Sequence, residues 1–170
     1  MHPILPKKDM TEEDIKLQYI TPAVTSKWSR CKITMETQIT DGKSNLRGNM
    51  AFREKPKRAD YLLYLSANNP IAVIEAKDNN HTVSHGLQQA MEYAKMLDLP
   101  FAFSSNGDGF AEHDFLTGTE REFGLDEFPS ESELIDRFKQ ESDFSPAQAA
   151  AIDQPYYSST STYPPRYYQR

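Results

Sequence analysis

Lys57-Arg58-Ala59-Asp60-Tyr61-Leu62-Leu63-Tyr64-Leu65, then Ala67-Asn68-Asn69-Pro70, then Ile71-Ala72-Val73-Ile74-Glu75-Ala76-Lys77 forms two apolar runs joined by a short polar connection. Tyr61 to Leu65 and Ile71 to Ile74 are unbroken apolar runs of strand length, the pattern of strands covered on both faces. The Asn-Asn-Pro connection between them is short enough to demand an antiparallel hairpin. In such a hairpin the start of the first strand lies beside the end of the second. Asp60 therefore approaches Glu75 and Lys77, which share one face because side chains alternate along a strand. Two carboxylates and an ammonium at one sheet end form a hard-oxygen site for Mg²⁺, with the Ala76 carbonyl as a further oxygen. A metal held there polarises a phosphoryl oxygen and activates water, and Lys77 stabilises the charge that builds up. The reading is metal-assisted phosphodiester hydrolysis.

The flanks extend the architecture. Thr11-Glu12-Glu13-Asp14 predicts a helix N-cap with an acidic first turn, and Pro22 predicts the helix end. Ile33 to Ile39 alternates as a strand with one wet face, and Asp41-Gly42 is a turn signal. Thr82 to Asp98 predicts the longest helix, with Leu87, Ala90, Met91, Ala94 and Leu97 on its apolar arc. Gln89 and Tyr93, with His85 one turn earlier, form a polar stripe beside that arc. Phe101 to Phe103 and Phe110 to Leu116 read as strands, and Ser130 with Glu133 caps a helix to about Gln140. Helices flanking a small mixed sheet give an α/β fold. Residues 1–145 are expected to form the domain, and 146–170, rich in Ser, Thr, Pro, Tyr and Ala, a linker or tail.

Composition narrows the function. The 170 residues carry a net charge of −6, which excludes a uniformly basic nucleic-acid binder. The charge is uneven: Asp41 to Asp60 holds six basic residues against three acidic, and Glu112 to Asp143 eleven acidic against three basic. Lys55, Lys57 and Arg58 stand just before Asp60, where a basic stretch meets DNA phosphates if Asp60 holds the metal. The alternative for the stretch is a solvated loop, which would leave the helix bearing Gln89, Tyr93 and Lys95 to face DNA. One cysteine, Cys31, excludes a disulfide framework and a cysteine-built zinc site. Neither a membrane-spanning run nor a secretory signal is evident, so a cytoplasmic location is expected.

Lys57-Arg58-Ala59-Asp60-Tyr61-Leu62-Leu63-Tyr64, Ile74-Glu75-Ala76-Lys77 and Gln89-Ala90-Met91-Glu92-Tyr93-Ala94, in this order, resemble the PD-(D/E)xK nuclease domain of the restriction (R) subunit of type I restriction-modification enzymes. Thr11 to Asp14 with Tyr19 to Pro22, and Ser104-Ser105-Asn106-Gly107, resemble the same family, so the likeness covers about residues 11 to 116. Ala59 replaces the proline of the motif's name. The resemblance implies a restriction-endonuclease-like α/β core. It also implies Asp60 and Glu75 as ligands of Mg²⁺, Lys77 as the catalytic lysine, and Gln89 and Tyr93 as the supporting QxxxY pair. Glu12 is a possible further acidic group at the metal, with Glu13 or Asp14 as alternatives.

Pro165-Arg166-Tyr167-Tyr168-Gln169 resembles the segment that opens the family's motor domain. No P-loop occurs, since Thr37 stands where Gly42-Lys43-Ser44 would need a first glycine, so ATP is expected to bind only outside this fragment. The implied partners are double-stranded DNA, the methylation (M) and specificity (S) subunits, and the chain's own motor domain, with no membrane. The competing functions are a nuclease of the same fold in DNA repair or a mobile element, and a non-catalytic docking module.

Overall fold

The computed structural model describes residues 4–39, 44–47, 50–53 and 56–141. Its centre is a six-stranded mixed sheet in the order β1-β4-β5-β6-β7-β8. These strands are β1 (Ile33–Gln38), β4 (Arg58–Ser66), β5 (Asn69–Ala76), β6 (Phe101–Ser105), β7 (Gly109–Asp114) and β8 (Thr119–Gly124). β2 (Ser44–Arg47) and β3 (Met50–Arg53) pair with each other as a separate hairpin. The expected hairpin is present: β4 and β5 run antiparallel, with Tyr61 opposite Ile74 and Leu62 opposite Val73. β5 and β6 alone are parallel, joined through helix α3 (Leu87–Leu97).

Alternation sorts the central strands onto two cores. Tyr61, Leu63, Ile74, Phe101 and Phe103 face one side with Ile15, Ile20, Val24, Phe128 and Leu134. Leu62, Val73 and Ala102 face the other, against Ala90, Tyr93 and Ala94 of α3. Both faces of β4, β5 and β6 are covered, which is why their sequences read as continuous apolar runs.

Three sequence expectations are corrected, and strands β2, β3 and β8 were not anticipated. The first helix does not stop at Pro22. Its α-helical start, α1 (Glu12–Ile15), passes through a π-helical turn at Lys16–Ile20 into α2 (Thr21–Thr25). A proline inside a helix lacks an N–H and crowds the carbonyl four residues back, and the wider π turn before it relieves both. The Thr11 cap is as expected, with Asp14 closing a capping box. The helix expected from Thr82 begins only at Leu87, since 82–86 form turns held by side chains. β8 and the β2–β3 hairpin carry no apolar alternation and were not legible; β8 is the sheet's far edge and mostly exposed. β1 does not alternate cleanly, and Met35 is 46% exposed.

The acidic segment after Phe110 is partly structural. Glu112 and Asp114, buried on β7, accept from Arg137 of α4 (Glu131–Glu141) at 2.8 and 2.7 Å, and Arg121 of β8 adds a 2.7 Å bond to Glu112. Removing one partner of a buried ion pair strands the other charge. Arg137→Ala is expected to lower stability by about 3 kcal/mol, the low end of the range for a broken buried pair because Arg121 still serves Glu112. Urea denaturation of the two proteins measures it.

Candidate active site at the end of the central hairpin

Asp60 near the start of β4 and Glu75 near the end of β5 lie together on the α3 side of the sheet, both buried. The Asp60 N–H donates to Glu75 Oε1 at 3.4 Å, and the Ala76 N–H donates to Asp60 Oδ2 at 2.8 Å. Burial, then the neighbouring Asp60 charge, pushes the Glu75 carboxyl up to about 9. Lys77, next on the same face, donates from Nζ to Gln89 Oε1 at 3.3 Å, and Gln89 Nε2 donates to the Tyr93 hydroxyl at 2.9 Å. The stripe read from four-residue spacing on α3 is thus one chain of hydrogen bonds ending on the lysine.

The structure brings together Asp60, Glu75, Ala76, Lys77, Gln89 and Tyr93. It treats the other named residues differently. Glu12 is half-buried, and burial, then Asp60, raises its carboxyl pKa. Among the described residues no group of three or more His, Cys, Asp or Glu side chains is arranged to hold a metal. Glu12 reaches Asp60 through Lys16, whose ammonium lies 3.7 Å from Glu12 and 2.7 Å from Asp60. Glu13 is exposed, and Asp14 is committed to the cap. His85 is off the α3 stripe, in the preceding turn, its ring 4.3 Å from that of His81. Lys57 is half-buried, Arg58 and Lys95 are exposed, and Lys55 lies outside the described residues.

Lys16 and Gly86 were not singled out in the sequence, and Ser104 only as part of the Ser104-Ser105-Asn106-Gly107 segment. Lys16 reads there as a surface partner of Glu12 and Glu13 at helical spacing, yet it is 2% exposed and donates to Glu13, Glu36 and Asp60. Burial alone would pull its pKa down, but those three carboxylates outweigh burial and hold it above the ordinary lysine range. Gly86 lets the start of α3 approach β5: a Cβ there would meet Ser104 Oγ at 3.0 Å and Lys77 Cε at 3.4 Å. Ser104 accepts from the Gly86 N–H and donates to the Val83 carbonyl, fixing the turn beside Lys77. Asn79 and Asn106 tie the same turn to the loop after β6.

A mixed sheet with a carboxylate pair and lysine at its central strand ends, backed by α3, is a restriction-endonuclease-like α/β core. The comparisons with known proteins agree. The family model for the type I restriction enzyme EcoKI endonuclease subunit second domain matches residues 37–100. The type I restriction enzyme EcoAI endonuclease subunit of Escherichia coli is 41% identical over 167 residues, covering 95% of this chain and 21% of that protein. A fragment described as an HsdR subunit of a type I restriction enzyme from Vibrio vulnificus YJ016 superposes with a TM-score of 0.69 at 38% identity, covering 78% of this chain and 26% of that one. The chain belongs with the type I restriction endonuclease subunits, as an R-subunit domain that spans about a quarter or less of these two relatives.

The Glu75 shift has a stability consequence. Between its unfolded value of 4.5 and its folded value of about 9, the folded chain holds a proton that the unfolded chain has released. Stability then falls as pH rises through that window, by up to about 1.4 kcal/mol per pH unit for one proton. Thermal melts in chelator from pH 5 to 9 are expected to show this decline, and Glu75→Gln is expected to flatten it.

Proposed function

We propose that this chain is the Mg²⁺-dependent DNA-cleaving domain of a type I restriction endonuclease subunit, acting on foreign unmodified DNA. The observation that carries the reading is the convergence of Asp60, Glu75 and Lys77 at one strand end, with Lys77 bound to the Gln89–Tyr93 pair. The donor set suits the ion. Two buried carboxyls facing each other repel unless a cation or proton stands near them, and burial together with the Asp60 charge pushes the Glu75 carboxyl up. Mg²⁺ characteristically takes one or two carboxylates and keeps waters, so a pair of acids with a backbone carbonyl is sufficient.

Asp60, Glu75 and the Ala76 carbonyl would hold the metal. When bound, Mg²⁺ supplies polarisation of the phosphoryl oxygen and a water of lowered pKa. The chain's own residues do the rest. The Ala76 N–H fixes the Asp60 carboxylate in one orientation. Lys77 presents its ammonium beside the acids, where it stabilises negative charge growing on the phosphate. Gln89 accepts from that ammonium, so Lys77 does not fold back onto Glu75, and Tyr93, only 7% exposed, anchors Gln89 to the helix core. Lys57 and Arg58, with Lys55, would meet backbone phosphates without regard to sequence.

In this reading the motor region outside the chain moves the DNA with ATP, the M and S subunits supply methylation state and target choice, and the assembly works in the cytoplasm. Cleavage and ATP hydrolysis are then separable. In the full-length subunit assembled with its partners, Lys77→Ala is expected to lower double-strand cleavage by at least about 10²–10³-fold. ATP hydrolysis and translocation are expected to remain at the wild-type rate. Plasmid cleavage and phosphate release measured on one preparation test this; parallel loss of both would contradict it.

A further inference from the structure

Lys16 lies beside this centre and is used in no step above. It is among the largest fully buried side chains, although lysine is rarely buried without a purpose. An ammonium has three N–H donors, and all three are committed: to Asp60 Oδ1 at 2.7 Å, Glu36 Oε1 at 2.7 Å and Glu13 Oε1 at 3.0 Å. Glu12 stands 3.7 Å away as a fourth carboxylate. The sheet is distorted to complete this set. Met35 opposite Tyr61 and Thr37 opposite Ala59 place Glu36 across from Asp60, yet Glu36 has a φ of 51° and drops out of the ladder. A non-glycine residue in the left-handed region is strained and persists only where its surroundings impose it.

The two oxygens of Asp60 are thus divided. Oδ2 accepts from the Ala76 N–H on the Glu75 side, and Oδ1 is held by Lys16 on the α1 side. Two-metal nucleases place their ions about 3.5–4 Å apart, bridged by a shared carboxylate. Here the Lys16 ammonium lies between Asp60 and the acids of α1 and β1, where a second ion sharing Asp60 would sit. We propose that Lys16 is a built-in cation that orients Asp60 and occupies the place of a second divalent ion, so that the centre takes one ion, on the Glu75 side. The inference rests on the metal reading above. Lys16 acts through Asp60 and is a positioning residue.

The test is Mn²⁺ binding to the 170-residue chain, read as stoichiometry by calorimetry and as ion–ion coupling by electron paramagnetic resonance. The wild type is expected to bind one magnetically isolated Mn²⁺, lost in Glu75→Gln. Lys16→Gln, which frees Asp60 and its three acidic neighbours, is expected to bind two, with a coupled spectrum. A merely structural lysine would not change the count. Two coupled ions in the wild type, or one ion in both wild type and Lys16→Gln, overturn the assignment while leaving the metal site standing. No ion in the wild type, or one indifferent to Glu75→Gln, overturns the metal reading and this inference with it. If Lys16→Gln melts in chelator, its refolding on Mn²⁺ with two ions supports the assignment. If it stays unfolded with Mn²⁺, the wild-type stoichiometry and coupling decide alone.

Discussion

The constraint on which this domain depends is the burial of two acidic side chains, Asp60 and Glu75, against each other at the end of an apolar hairpin. Glu75 cannot be charged there at leisure, because the low-dielectric surroundings that make β4 and β5 stable strands also penalise its carboxylate. The neighbouring structure answers this one cost. Lys16 comes from the first helix to neutralise Asp60, the Ala76 N–H binds the same carboxylate, and Lys77 stands on the open side with its ammonium held by Gln89. The π turn at Lys16–Ile20 lies where the helix delivers that lysine, and Glu36 leaves the regular strand conformation to meet it.

The elements farther from the site serve the same end. α3 starts late, at Leu87, because the turn before it is tied by Ser104, Asn79 and Asn106 to β6 and the loop that follows. Gly86 permits that turn to press on Lys77 and Glu75. α4 and β8, laced by Arg137 and Arg121 to two buried acids of β7, close the far side of the sheet. The buried acids Glu112 and Asp114 therefore have a mechanical role in the fold.

Much of this was legible in the sequence. The hairpin followed from two apolar runs and a short Asn-Pro connection, and with it the meeting of Asp60, Glu75 and Lys77. The Gln89–Tyr93 pair followed from helical spacing, and Ser104-Ser105-Asn106-Gly107 from likeness to the R subunits. What was not legible has physical causes. Lys16 has the sequence signature of a surface ion pair, because its true partners, Glu36 and Asp60, are 20 and 44 residues away. Glu12 was placed near the metal by likeness to the family, and the lysine that stands between it and Asp60 is visible only in three dimensions. β8 is an exposed edge strand without alternation, and Pro22 misled because the π turn that accommodates it has no local signal.

Asp60 and Glu75 are proposed to hold a divalent ion together. The most direct measurement of this is anomalous scattering from crystals of this chain soaked with Mn²⁺. One strong peak is expected, in contact with a carboxylate oxygen of each and with the Ala76 carbonyl, at a distance near that typical of Mg²⁺, about 2.0–2.1 Å. A peak that touches only one of the two carboxylates, or none at the strand end in a well-occupied crystal, would contradict the proposal.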